Sequence, residues 1–176
     1  MMKRYFVAAL LGASSIAAAQ HDQPYAGQQA REIKALSRDE IEGYLAGAGM
    51  GYARPAELNG YPGPMHVLQL AEQIKLTAQQ KVAMRHLMED HKAQARSLGA
   101  RFVQSERELE VLFRAGNVDQ ATLAASVEQA SMLQGLYRLS HLETHRKALA
   151  LLTPDQVSAY NRARGYSSGE LEHQHK

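Results

Sequence analysis

His141-Leu142-Glu143-Thr144-His145 places two imidazoles four residues apart. On a helix such a pair lies on one face a turn apart and can chelate a single transition-metal ion. The pattern is not the His-Glu-x-x-His of zinc proteases, in which the glutamate directly follows the first histidine. Glu143 stands two residues on, about 200° around a helix at about 100° per residue, and so points away from a metal on the histidine face. Upstream, His91 and Met88 occur in another run of helical spacing. Imidazole nitrogens with one thioether suit zinc, copper or nickel better than magnesium or calcium. The candidate metal ligands are therefore His91, His141, His145 and Met88. No cofactor is required by any motif, and a transition metal is the one these residues can hold. The competing reading makes His91 and His141 half-buried groups that hydrogen-bond across two helices, with His145 solvated and Met88 filling the core. His86, five residues before His91 and about 140° around the same helix, does not readily join that site. His66 follows Pro64-Met65 at a helix start, and His173 and His175 lie near the C-terminus, where weak metal scavenging would cost ordering entropy.

Other chemistry is poorly supplied. With no cysteine there are no disulfides and no thiol nucleophile, and the scattered serines have no evident base. Glu106, Glu108 and Glu110 lie amid Arg101, Arg107 and Arg114 and read as a solvated helix flank, with Glu106 nearest the apolar stripe and placed to pair with an arginine. No Gly-x-x-x-x-Gly-Lys phosphate loop is present. These residues do not describe an enzyme.

The elements that must position the histidines are two long helices. Met84, Met88, Ala95, Leu98, Phe102, Leu109 and Phe113 form one stripe with His91 on it. Thr77 and Gln80 form a capping box at its start, and Ala115-Gly116-Asn117 ends it with residues that tolerate a left-handed cap. A second stripe runs Leu123, Val127, Ala130, Leu133, Tyr137, His141, Thr144, Ala148, Leu151, with Asp119 or Asn117 as its cap. Two helices of about 35 residues joined by a tight turn fold back as an antiparallel hairpin, each about 50 Å long. A turn near Gly116 brings His141 level with His91, and His145 level with Met88, to within one helical turn.

Shorter elements flank the hairpin. Ser37 and Glu40 open a short helix that fails in the Gly47, Gly49, Gly51 run. Residues 53–64, with Pro55, Asn59-Gly60 and Pro62-Gly63-Pro64, read as a structured loop leading to a short helix over 66–74. Thr153, Pro154, Asp155 and Gln156 start a last helix that runs to about Arg164. The fold class is all-α.

Residues 1–19 have the order of a secretory signal peptide: Lys3-Arg4, an apolar stretch over 5–11, and small residues ending at Ala19, where cleavage is expected. The apolar stretch is shorter than the roughly 20 residues a membrane span needs, so no span is expected after cleavage, and no cysteine follows to carry a lipid. Loss of Lys3 and Arg4 brings the formal charge from +2 to zero, which removes the motive for nucleic-acid binding. Residues 20–36 read as a disordered N-terminal segment, 37–165 as the helical domain, and 166–176 as a disordered, histidine-containing tail.

Leu76-Thr77-x-x-Gln80 and Leu152-Thr153-x-x-Gln156, bracketing a long hairpin behind an export signal, resemble the LTxxQ motif pair of the Spy/CpxP family of periplasmic chaperones and heavy-metal sensor and resistance proteins. The resemblance covers roughly residues 64–166. It implies a four-helix, hook-shaped subunit that forms a homodimer with a concave face. It also implies a periplasmic, ATP-independent chaperone that binds unfolded or partly folded protein clients in envelope stress. The alternative is a periplasmic protein that senses or buffers heavy metal through the hairpin histidines. The threonines and glutamines of the two boxes read as structural caps rather than functional groups.

Overall fold

The computed structural model describes residues 24–116 and 118–166. The chain divides into a unit of residues 1–30 and a unit of residues 31–176. In the first, residues 24–30 form turns, and the Gln28 side chain donates to the Pro24 carbonyl at 3.1 Å. The expected leader, its cleavage site and the segment bearing His173 and His175 lie outside the described residues.

The second unit is all-α among its described residues. Its helices are α1 (Arg38–Ala46), α2 (Arg54–Glu57), α3 (Pro64–Gln69), α4 (Ala78–Ala115), α5 (Gln120–Ala150) and α6 (Pro154–Arg164). Among the described residues six helices stand where the resemblance implies four. α2, a single turn begun by Arg54-Pro55, lies inside the stretch expected to be loop, since proline presets the first-turn dihedral without needing an N–H partner. The short helix expected over 66–74 starts earlier and ends sooner. Pro64 initiates it, and the chain leaves through Lys75, whose φ of 53° reverses it into the extended Thr77 cap.

Each expected capping box forms. The Thr77 hydroxyl accepts from the Gln80 N–H at 3.1 Å while the Gln80 side chain accepts from the Thr77 N–H at 3.0 Å, and Ser37–Glu40 and Thr153–Gln156 repeat the arrangement. Asp119, rather than Asn117, caps α5 by accepting from the Thr122 N–H at 3.0 Å. Gly116 ends α4 at φ 73°, in the left-handed region that a β-carbon disfavours.

α4 and α5 pack as the expected antiparallel hairpin and support two apolar clusters. One joins Tyr44 of α1, Phe102 and Val103 of α4, and Leu133 and Tyr137 of α5. The other joins Val67, Ile74, Leu76, Met84, Ala148 and Tyr160, where α3 and α6 close the opposite end. Ile33, 1% exposed, and Leu36 belong to the first cluster, although they fall in the segment expected to be disordered. The charged flank of α4 explains this packing. Glu110 accepts from Lys34 and from Arg114, Arg107 pairs with Glu32 at 2.9 Å, and Arg114 donates to the Glu32 carbonyl at 3.0 Å. These residues clamp the lead-in segment instead of facing only water. Glu106 pairs with no arginine among the described residues, and partial burial raises its carboxyl above the usual range.

Candidate functional site

Between the two clusters, the hairpin stripes carry His91 and His141 instead of aliphatic residues. Their rings meet edge to face with centroids 4.4 Å apart, as the expected register requires. His141 is 4% exposed and lies against the Tyr137 ring, with centroids 4.7 Å apart. Its Nδ1–H donates to the Tyr137 carbonyl at 2.9 Å. A carbonyl only accepts, so this bond fixes the tautomer and leaves the lone pair on Nε2. That Nε2 is buried and has no hydrogen-bond partner, and neither does Nδ1 of His91. Two orphaned nitrogens in adjacent rings are uncommon, because burying a polar atom without a partner costs about 1–3 kcal/mol.

Burial also keeps both rings neutral. Desolvation, reinforced by His141 and His145, brings His91 down to about 4. Desolvation lowers His141 as well, opposed in part by its bond to Tyr137. A neutral imidazole with an unused lone pair is the form that ligates a metal, and a second ring nitrogen tied to a carbonyl is the usual way such a ligand is oriented.

The two rings open on a cleft of about 770 Å³. One wall is the Gly47–Gly51 connection after α1, held down by the Tyr137 hydroxyl, which donates to the Ala48 carbonyl at 2.5 Å. Gly47 and Gly51 take φ values of 70° and 77°, which allow the chain to turn tightly across His141. The other wall comes from α2 and the loop to α3, so the 53–64 stretch both packs on the hairpin and lines the cleft.

All four nominated residues reach this cleft, but they do not converge. Only His91 and His141 are in ring contact. His145 turns toward the loop, where its Nδ1–H donates to the Tyr61 carbonyl at 2.7 Å. Met88 lines the cleft without joining a ligand cluster, and among the described residues no three His, Cys, Asp or Glu side chains form a ready metal site. His66, Met50 and Met65 line the same space and were not singled out as ligands from the sequence. Glu57, also missed, is a buried carboxylate at 9% exposure. It accepts from the Tyr160 hydroxyl and from the Gly63 N–H at 3.0 Å, with His66 Nδ1 at 3.4 Å and His145 Nδ1 at 3.5 Å. Nothing in the sequence marks Glu57 as a hub, because its partners come from α3 and its cap, α5 and α6.

The heavy-metal resistance family profile matches residues 43–159, which takes in both hairpin helices, the loop wall and the cleft histidines. The chain belongs to the heavy-metal resistance family. That family is part of the Spy/CpxP-like helical group, in agreement with the resemblance carried by the two Leu-Thr-x-x-Gln boxes. No curated protein and no solved structure matches the chain. Membership in the heavy-metal resistance family makes a metal ion the first ligand to test against the cleft, and the two orphaned imidazole nitrogens fit one: His141 Nε2 presents its lone pair, and His91 Nδ1 presents one when that ring carries its proton on Nε2. The family's motif pair is accounted for structurally. Gln80 Nε2 donates to Gln156 Oε1 at 2.8 Å and Gln156 Nε2 returns a bond to Gln80 Oε1 at 2.9 Å, so the two boxes lock to each other below the site. No helix among the described residues is long and apolar enough to cross a membrane.

Proposed function

We propose that this protein is a periplasmic metal-binding protein, not an enzyme, that takes up a borderline transition-metal ion such as zinc, copper or nickel in the cleft for sensing or buffering. His91 Nδ1 and His141 Nε2 would hold the ion, with Met88 as a soft donor lining the same cleft. The observation that carries this reading is the pair of buried, neutral, unpartnered nitrogens in contacting rings. Export fits the leader-like residues 1–19 and the absence of cysteine, since a periplasmic metal site built on imidazoles escapes thiol oxidation. Calorimetric titration of the mature chain with each metal should give one site with micromolar or tighter affinity, greatly weakened by His91→Ala with His141→Ala. Absence of binding at that level, or equal binding by the double variant, would sink the reading.

A chaperone-like activity on partly folded clients is the second reading, supported by a different surface. At the hairpin end, Val111, Phe113 and Val127 are exposed, with Met132, Leu136 and Leu139 farther along α5. Apolar patches of this kind serve as association surfaces. Failure to suppress aggregation of an unfolded client at stoichiometric ratio would count against it.

A further inference from the structure

The unpartnered nitrogens of His91 and His141 share their cleft with three methionines, Met50, Met65 and Met88. Thioether sulfur is a soft, uncharged donor, and the ion it suits best is the soft monocation copper(I). We propose that the cleft binds copper(I) in preference to zinc or nickel, with His91, His141 and the thioethers of Met88 and Met65 as its donors. The proposal rests on the metal-binding reading above and specifies the ion, and its oxidation state, that the site selects.

Charge separates the candidate ions. Neutral imidazole and thioether donors cancel none of the metal's charge, and the desolvation cost of an ion rises with the square of that charge. A dication therefore costs about four times as much to bury here as a monocation of similar size. Arg54 and Lys92 line the same cleft and repel a dication twice as strongly. The carboxylate in the cleft wall is already engaged: Glu57 accepts from the Tyr160 hydroxyl and the Gly63 N–H and stands 3.8 Å from Arg164 Nε. Placement suits the thioethers as well. Met88 precedes His91 by three residues on α4, which puts the two on one side of the helix. Met65 lies in the first turn of α3, in another part of the cleft wall, and is 52% exposed. Little packing restrains its flexible side chain, so the sulfur can turn toward the imidazoles. Met50 serves as wall rather than ligand, because its sulfur packs over Gly43, where an added β-carbon would stand 2.4 Å from it.

Titration of the full mature chain with copper(I), kept reduced by ascorbate and contested by a chromogenic chelator, tests this, with zinc and nickel titrated alongside. Copper(I) should bind more tightly than either dication, and X-ray absorption should show sulfur as well as nitrogen around it. Met65→Leu with Met88→Leu should weaken copper(I) binding by roughly 10–100-fold or more, at least the loss that removing an outer partner costs a metal site. These swaps nearly conserve volume, so the helical circular dichroism should stay at the parental level. Zinc or nickel bound as tightly as copper(I), or undiminished copper(I) affinity in the methionine variant, overturns the copper(I) proposal and leaves metal binding by His91 and His141 standing. Copper(I) binding that survives His91→Ala with His141→Ala in a chain of parental helicity places copper outside the cleft and overturns the proposal too. If none of the three ions binds in a way that depends on the two histidines, the metal-binding reading itself fails.

Discussion

A buried imidazole is tolerated only if it stays neutral, and His91 shows the consequence most plainly. Its folded value of about 4 lies below the value of about 6.5 expected in an unfolded chain. Between those two values the unfolded chain binds the extra proton, so stability declines as pH falls through that window and is fully retained above it. Melting temperatures of the metal-free protein should therefore drop between pH 6.5 and 4, and His91→Gln should flatten the profile; a parallel decline in both chains would refute the assignment. The sequence named His91 and His141 because a helical stripe with a histidine on it has to point that histidine inward. It could not show which ring nitrogen would lack a partner. That depends on the Tyr137 carbonyl one turn earlier and on the glycine-rich wall folded across the ring.

At the scale of elements, the hairpin ends are fixed by a side-chain device of two parts. The Gln80 and Gln156 amides each close their own capping box, bond each other, and also cap a carbonyl, Leu151 for Gln80 at 2.8 Å and Lys75 for Gln156 at 3.2 Å. Gln80→Leu should cost about 1–3 kcal/mol, since it strands the partner amide as well as a backbone carbonyl. Denaturant unfolding that gives the same midpoint as the parent would contradict this network. α1 is set by close contact as well as by the Arg96 side chain, which donates to the Ala46 carbonyl at 3.4 Å. A β-carbon at Gly99 would stand 2.0 Å from the Tyr44 carbonyl oxygen, so only glycine lets the end of α1 rest on α4. Gly99→Ala should destabilise the fold by about 1–3 kcal/mol or more and release the Tyr44 ring from Phe102 and Tyr137. Unchanged stability and unchanged near-ultraviolet circular dichroism would rule that out. The capping boxes were legible in advance because they are local, four-residue patterns. Their mutual bond was not, because it joins residues 76 positions apart.

At the scale of the whole molecule, the apolar stripes run farther than the packing does. Phe113 is 60% exposed although it continues the stripe that buries Leu98 and Phe102. Burial of that end by a second copy or a client would remove apolar surface from water at roughly 25 cal/mol per Å². The mature protein is expected to self-associate at micromolar concentrations in sedimentation runs, and Val111→Ser with Phe113→Ser should return it to the monomer. A parent chain that remains monomeric at high concentration would assign the exposed end to clients or to solvent.

By itself the sequence determined the long helices and the starts of α1 and α6: the period of the stripes, the threonine and serine caps, and the Gly116 turn specify them and the hairpin register, because each is a short-range property of neighbouring residues. Tertiary structure alone decided how the site is enclosed. Glu57 drawn between His66 and His145, His145 diverted to the Tyr61 carbonyl, and the cleft walled by the connections after α1 and α2 all depend on chain segments far apart in sequence. Polar groups leaving water must find whatever partners the packed neighbours provide, and those neighbours exist only once the helices have docked.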